Sequence, residues 1–253
     1  MDQNLLSRYD KLGQYYWWLV AKYKTILKLT AKFTKVKKNK INILDIGCAS
    51  GGFLEKFGKF LEQNRNYKLN LYGIDIVKNQ ELSKKKKIKF YLIKKGEKYP
   101  FPKNSFDIIT LIDVLEHIKN ERFVLKEIYR ILKRDGYIVL SVPAYQFLWG
   151  QHDQIYKHFR RYTKRRITHL LEKNSFKILK ATYFQSFFIF PLWFYRKFFS
   201  KNNSDDFLRI PKFLNNILTK ILLLEGWVSQ YISLPFGSTI ICIAKRMGKP
   251  LHQ

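Results

Sequence analysis

Cysteine is nearly absent: Cys48 and Cys242 are the two thiols in 253 residues. That excludes a disulfide framework and a cysteine-built metal cluster, and it suits a reducing compartment, so a cytoplasmic location is expected. Acidic residues are also scarce, 19 against 48 basic ones, for a net charge of +29. So basic a chain is attracted to RNA, DNA, anionic lipid or acidic substrates. Compositional drift is the other reading, because 36 of the basic residues are lysines spread through stretches rich in Ile and Asn, such as Lys35 to Asn42. Lysines of that kind solvate surfaces. Long apolar runs are missing too. The run from Phe187 to Tyr195 has nine apolar residues before Arg196, against about twenty needed to cross a bilayer, so no crossing is expected. Met1-Asp2-Gln3-Asn4 lacks the basic start of a secretory leader. The histidines His117, His152, His158, His169 and His252 show no zinc-type spacing with cysteine, and no metal site is expected.

What the chain does have is Ile43-Leu44-Asp45-Ile46-Gly47-Cys48-Ala49-Ser50-Gly51-Gly52, an apolar strand running into an acid and a glycine-rich turn. Glycines let backbone turn sharply and approach a ligand closely. Phe53 to Phe57 reads as the start of a helix. Gly47, Ala49 and Gly52 fit the dinucleotide fingerprint loosely. Asp45 argues against a dinucleotide, since its carboxylate would face a pyrophosphate, whereas a ligand carrying an ammonium and a sulfonium would be attracted. A second short strand, Leu71 to Ile76, ends in Asp75, where a βαβ unit places an acceptor for ribose hydroxyls.

A third segment, Phe106-Asp107-Ile108-Ile109-Thr110-Leu111-Ile112-Asp113-Val114-Leu115-Glu116-His117, completes a pattern. With the D-x-G-x-A-x-G turn and the Gly73-Ile74-Asp75 strand end, the chain resembles the class I S-adenosylmethionine-dependent methyltransferases, particularly their small-molecule branch of the type 11 kind. The likeness covers roughly residues 41–183 and 237–246. It implies an α/β fold: a Rossmann-like seven-stranded, mostly parallel sheet with helices on both faces and, here, a helical insertion before the last strand. It implies S-adenosylmethionine as cofactor. Asp45, Gly47, Cys48, Ala49 and Gly51 would hold its methionine part, Asp75 with Ile76 its ribose, and Ile112 and Asp113 would line the cofactor and reacting centre. The family's turn usually has a glycine where this chain has Ala49. Glu97, ahead of Tyr99-Pro100-Phe101, is the candidate for the adenine contact.

Strands are expected near 43–46, 71–75, 89–93, 107–112, 137–142, 176–183 and 237–244, alternating with helices as a parallel sheet requires. Four regions follow: an N-terminal helical cap (1–40), the cofactor-binding core (41–183), an aromatic helical insertion (184–236), and the final strand with its tail (237–253). In the cap, Leu12, Tyr16, Leu19, Tyr23 and Ile26 recur at helical spacing over 5–34. Trp17 and Trp18 beside them suit packing or substrate contact. A helix over about 120–134 buries Phe123, Val124, Ile128, Ile131 and Leu132 and ends at Asp135-Gly136. In the insertion, Leu214, Ile217, Ile221, Leu224 and Val228 form another stripe, read as a helical cap with its own small core. Its aromatics suit core packing, a hydrophobic substrate, or a membrane surface.

The segment from Trp149 to Thr163 follows strand five, at the edge where open α/β sheets bind ligands. Thr163 reads as an N-cap, yet Lys164, Arg165 and Arg166 crowd the first turn, where the helix dipole favours anions. Substrate phosphate or carboxylate is therefore expected against His158, Arg160, Arg161 and Tyr162. Methyl transfer needs chiefly alignment, with a base where the acceptor is a hydroxyl or acidic carbon. His152 is the favoured base, with His117 and Asp153 as alternatives. The expected acceptor is small or lipid-linked and anionic, with peripheral contact to the inner membrane surface open. RNA or protein methylation is the next reading, favoured by charge but lacking the Asn/Asp-Pro-Pro-Tyr-type run of amino-directed nucleic-acid methylases. A non-catalytic binding protein with a decayed cofactor site stands third, and nicotinamide-dependent reduction fourth.

Overall fold

A computed structural model describes residues 12–36, 39–65, 67–78, 82, 85–198, 207 and 210–248. The expected start of the N-terminal helix, residues 5–11, lies outside them. Seven strands form one sheet in the order β3-β2-β1-β4-β5-β7-β6: β1 (Lys40–Ile46), β2 (Lys68–Asp75), β3 (Ile88–Leu92), β4 (Phe106–Ile112), β5 (Leu132–Pro143), β6 (Phe176–Phe184) and β7 (Thr239–Arg246). β1 to β5 pair in parallel, while β7 runs antiparallel to both β5 and β6. The first strands read as continuous apolar runs because both faces are covered; all of β4 but its last residue is buried.

On one face lie α3 (Glu121–Ile131) and α5 (Lys164–Lys173). Asn120 caps α3 by accepting from Phe123 N at 3.1 Å, and Val124, Leu125, Ile128 and Ile131 enter the same core as Ile167 and Leu171 of α5. Each such side chain contributes about 1.5–3 kcal/mol of burial. On the other face lie α1 (Trp17–Phe33), α2 (Gly52–Arg65) and α7 (Lys212–Val228), with Ile26, Leu29, Phe53, Phe57 and Leu222 in a second core.

Four expectations change. The helix over 120–134 stops at Ile131, and Leu132 opens β5 by pairing with Phe106. Asp135, not Gly136, takes the positive φ of 64° that turns the chain. The N-terminal stripe is real, with Leu12, Tyr16, Leu19 and Ile26 buried, but the helix breaks at Tyr16, which is extended. Asn215 of α7 explains the break: its Oδ1 accepts from Trp17 N at 3.0 Å and its Nδ2 donates to Tyr15 O at 3.0 Å. The last strand begins at Thr239, because Gly237 turns against the Phe184 backbone.

The insertion contributes α6 (Ile189–Phe198) and α7. Among the described residues it has no core of its own. Leu222 joins the sheet's second core, Gly226 packs on Thr25 of α1, and Phe207 joins Leu12, Tyr16, Leu19 and Tyr156 in a small cluster. No described helix is long and apolar enough to cross a membrane.

Candidate active site

The carboxyl ends of β1, β4 and β5 open into a cavity of about 380 Å³, roofed by α1 and α6. At the end of β1, Asp45 is 3% exposed, and its Oδ1 accepts from Thr110 Oγ1 at 2.5 Å. Gly47 and Cys48 donate their amides to Ile74 O at 2.9 and 3.2 Å, which ties the turn to β2. Gly47 has φ +69°, and a Cβ there would lie 2.6 Å from Val114 Cγ2; only glycine fits that backbone and that space. Ala49 also lies in the left-handed region, at φ 48°. Asp45, Gly47, Cys48, Ala49, Ile112 and Asp113 all line the cavity.

Asp75, Ile76 and Gly51 lie outside the cavity wall. Asp75 ends β2 beside the turn: Oδ2 accepts from Ala49 N at 2.8 Å, and Oδ1 from Ile76 N at 2.7 Å and Val77 N at 3.1 Å. A carboxylate accepts about four hydrogen bonds, so one position is left for a hydroxyl. Burial raises its pKa, against the pull of those three amides. Ile76 is exposed. Gly51 packs on Leu82 and Ile88, where a Cβ would clash. Glu97 sits in an exposed turn and accepts from Lys94 N at 2.9 Å.

At the end of β4, Asp113 has φ 55°. Its carboxylate accepts from Ser141 Oγ at 2.7 Å and pairs with Lys22 of α1. Lys22 is 1% exposed and was missed in the sequence; the signal was a lysine inside the helix's buried stripe. Glu116, also missed although it stands in the quoted run, is 1% exposed and lines the cavity. Burial, and then Asp113 nearby, raise its pKa well above the usual range.

The segment after β5, with the short helix α4 (Gln151–Ile155), brings Asp153, His158 and Arg161 together. Asp153 Oδ1 meets His158 Nδ1 at 2.7 Å and Arg161 Nε at 2.9 Å, and Oδ2 accepts from Gly150 N at 2.9 Å. Arg196 of α6 stands 3.7 Å away. Burial opposes the charge on Asp153, yet His158 and Arg161 hold its carboxyl far below the usual range. So stabilised a carboxylate is a poor proton acceptor, which weighs against its expected role as a base. It holds His158 and Arg161 in place. His152, His117, His158 and Arg161 all line the cavity. The His152 ring lies 4.5 Å from that of Tyr156, and those of His117 and His158 are 4.6 Å apart. Burial, then His158, pushes His117 down to about 3, so it is neutral at pH 7.

Arg160 and Tyr162 do not reach the cavity. Arg160 pairs with Glu121 at the start of α3, and Tyr162, fully buried, donates to Glu121 Oε1 at 2.6 Å. Thr163 caps α5 as expected, accepting from Arg166 N at 3.2 Å. The anion expected at the basic α5 start is the chain's own Glu121, 3.5 Å from Arg166. Within the cavity Lys22 and Arg161 face Asp113 and Asp153, so these cations answer internal carboxylates before any substrate.

A family model described as a methyltransferase domain matches residues 18–181, more than half of the chain. The chain belongs to the class I S-adenosylmethionine-dependent methyltransferases. An uncharacterized Methanocaldococcus jannaschii protein is 30% identical to this methyltransferase over 55% of the chain and 66% of its own length. A demethylmenaquinone methyltransferase of Oceanobacillus iheyensis is 25% identical over 62% and 66%. The methyltransferase thus spans less than two thirds of the length of either relative. Among solved structures, the complex between the Haloferax volcanii Trm112 methyltransferase activator and a methyltransferase superposes with a TM-score of 0.63 at 16% identity, covering 98% of this chain and 97% of that one. A phosphoethanolamine N-methyltransferase of Haemonchus contortus, bound to S-adenosylmethionine, gives 0.55 at 18%, over 88% and 52%. Likeness at such identity establishes the fold. The methyl donor of the family is S-adenosylmethionine, and the buried Asp45 beside a turn open only to glycine at Gly47 fits a cationic methionine group.

Proposed function

We propose that this methyltransferase acts on a lipid-linked acceptor at a membrane surface. One observation carries the reading: the insertion that roofs the cavity turns an apolar face to solvent. Phe187, just ahead of α6, and Phe190, Phe194 and Phe198 along it are 53–73% exposed, and Phe213, Leu224 and Trp227 along α7 are 51–76% exposed. Monomers rarely leave so large an apolar patch in water unless it meets a partner or a membrane. Lys197, Lys212 and Lys220 are exposed on the same two helices, a pattern suited to anionic lipid. The inner side of α6 supplies Phe188, Pro191, Leu192 and Tyr195 to the cavity wall, so the same helix would touch lipid and frame the path of a lipid tail. A relative named for ubiquinone/menaquinone biosynthesis, 34% identical over 38% of this chain, agrees with a lipid-linked acceptor.

S-adenosylmethionine supplies a methyl group already electrophilic on its sulfonium. Asp45 would attract the cationic end, the Gly47–Ala49 backbone would hold it, and Asp75 would take a ribose hydroxyl in its remaining position. The chain's work is alignment and exclusion of water, which Trp17, Trp18 and Phe188 over the cavity would provide. The net charge of +29 keeps RNA or protein methylation as a second reading.

The test is methyl transfer from methyl-tritiated S-adenosylmethionine into a whole-cell extract, separated into lipid, nucleic-acid, protein and small-molecule fractions. Label in the lipid fraction, lost in Asp45→Asn, is expected. Label confined to any other fraction would overturn the lipid reading.

A further inference from the structure

We propose that Glu116, His117 and His158 bind one divalent metal cation in the cavity wall. Their ligand atoms lie within 4.8 Å of one another, and all three residues face the cavity. The chain brings them together deliberately: the amide of Phe159 donates to Glu116 O at 2.8 Å, which fastens the loop after β5 to the turn after β4. His158 follows directly from that bond.

His158 is already arranged as metal ligands are. Its Nδ1 lies against Asp153 Oδ1 at 2.7 Å, and the His117 ring stands 4.6 Å from the His158 ring. In His158 one nitrogen is held by an oxygen, which fixes the tautomer and leaves the other nitrogen's lone pair for a cation. Glu116 supplies the independent observation. It is fully buried, and its Oε2 has no hydrogen-bond partner among the described residues. A carboxylate oxygen left so is costly, and a cation at this point removes the cost. Lys22 and Arg161 act on Glu116 through their charge while pairing with Asp113 and Asp153, and Oε2 still has no hydrogen bond among the described residues.

Two imidazoles and one carboxylate suit Zn²⁺, Mn²⁺ or Fe²⁺ better than Ca²⁺. Three protein ligands leave coordination positions open toward the cavity. An acceptor hydroxyl bound there would give its proton to solvent water and remain as an anionic oxygen ligand, its pKa lowered by the metal. The site thereby assigns an oxygen nucleophile to the acceptor, a consequence that rests on the acceptor sharing this cavity as argued above.

The experiment is calorimetric titration of chelator-treated full chain with MnCl₂ and with ZnCl₂, alongside Mn²⁺ electron paramagnetic resonance. Wild type, Glu116→Gln, His158→Ala and the exposed-site control His169→Ala are compared, and S-adenosylhomocysteine affinity is measured on each. One Mn²⁺ or Zn²⁺ per chain is expected, weakened about 100-fold or more in Glu116→Gln and His158→Ala and unchanged in His169→Ala, with S-adenosylhomocysteine affinity retained. Absence of stoichiometric uptake by wild type that binds S-adenosylhomocysteine would overturn the proposal, as would equal uptake by both variants. Stoichiometric, variant-sensitive uptake with no label in the lipid fraction would sustain the metal site and fell the lipid reading alone.

Discussion

Ala49 sits where the backbone has φ 48°, a conformation in which a Cβ crowds the following carbonyl. Its amide still reaches Asp75 at 2.8 Å, so the turn keeps its function and carries the strain. Ala49→Gly is therefore expected to raise unfolding stability by about 1 kcal/mol, with S-adenosylhomocysteine affinity unchanged. Urea denaturation reads the difference; an unaltered or lower midpoint would show that Ala49 is not strained. The left-handed conformation of Asp113 is different in kind, because Lys22 and Ser141 hold both carboxylate oxygens and fix the residue in the cavity wall. Such strain is retained where the surroundings over-determine it.

Among the elements, α7 is tied to the start of the insertion by one carboxylate. Glu225 of α7 accepts from Ser186 N at 3.0 and 3.1 Å, ahead of α6. Burial raises its pKa despite those bonds. A carboxyl whose folded pKa lies above its unfolded value contributes stability below the unfolded pKa and loses it as pH rises through the folded one. The melting temperature of wild type relative to Glu225→Gln should therefore fall as pH rises from about 4.5 to 7.5. A difference that stays flat would mean the carboxyl is not shifted. The same scale shows what could be read in advance. β1, β2 and β4 were legible because apolar runs end in Asp45, Asp75 and Asp113, a local pattern. The helix end at Ile131 was not, because Leu132 prefers the β-ladder with Phe106, a tertiary choice. The break at Tyr16 depends on Asn215, 199 residues away in sequence. Glu116, His117 and His158 meet only through a loop-to-turn hydrogen bond, which no periodicity announces, and the basic start of α5 found its anion in Glu121 on another helix.

For the whole molecule, under the proposed lipid reading, the apolar face of the insertion and the net charge of +29 act together on an anionic surface. Binding to phosphatidylglycerol vesicles should be strong at low salt and weaken as salt screens the lysines. Phe190→Glu with Leu224→Glu should weaken it at least tenfold, since burying each apolar side chain is worth about 1.5–3 kcal/mol. Co-sedimentation reads this, and S-adenosylhomocysteine affinity should not move, because neither residue lines the cavity. Vesicle binding unaffected by the double substitution would place the contact on another face.

The strand order has a consequence for how the chain is made. Among the seven described strands β7 comes last in chain order, yet it lies between β5 and β6, and each of those pairs with it across most of its length. Until residues 239–246 leave the ribosome, β6 has no neighbour in the sheet and β5 presents a bare edge. The earlier strands can assemble during translation, but that half of the sheet waits for β7. Late pairing of this kind leaves β5 and β6 open to proteases and chaperones until residues 239–246 are available.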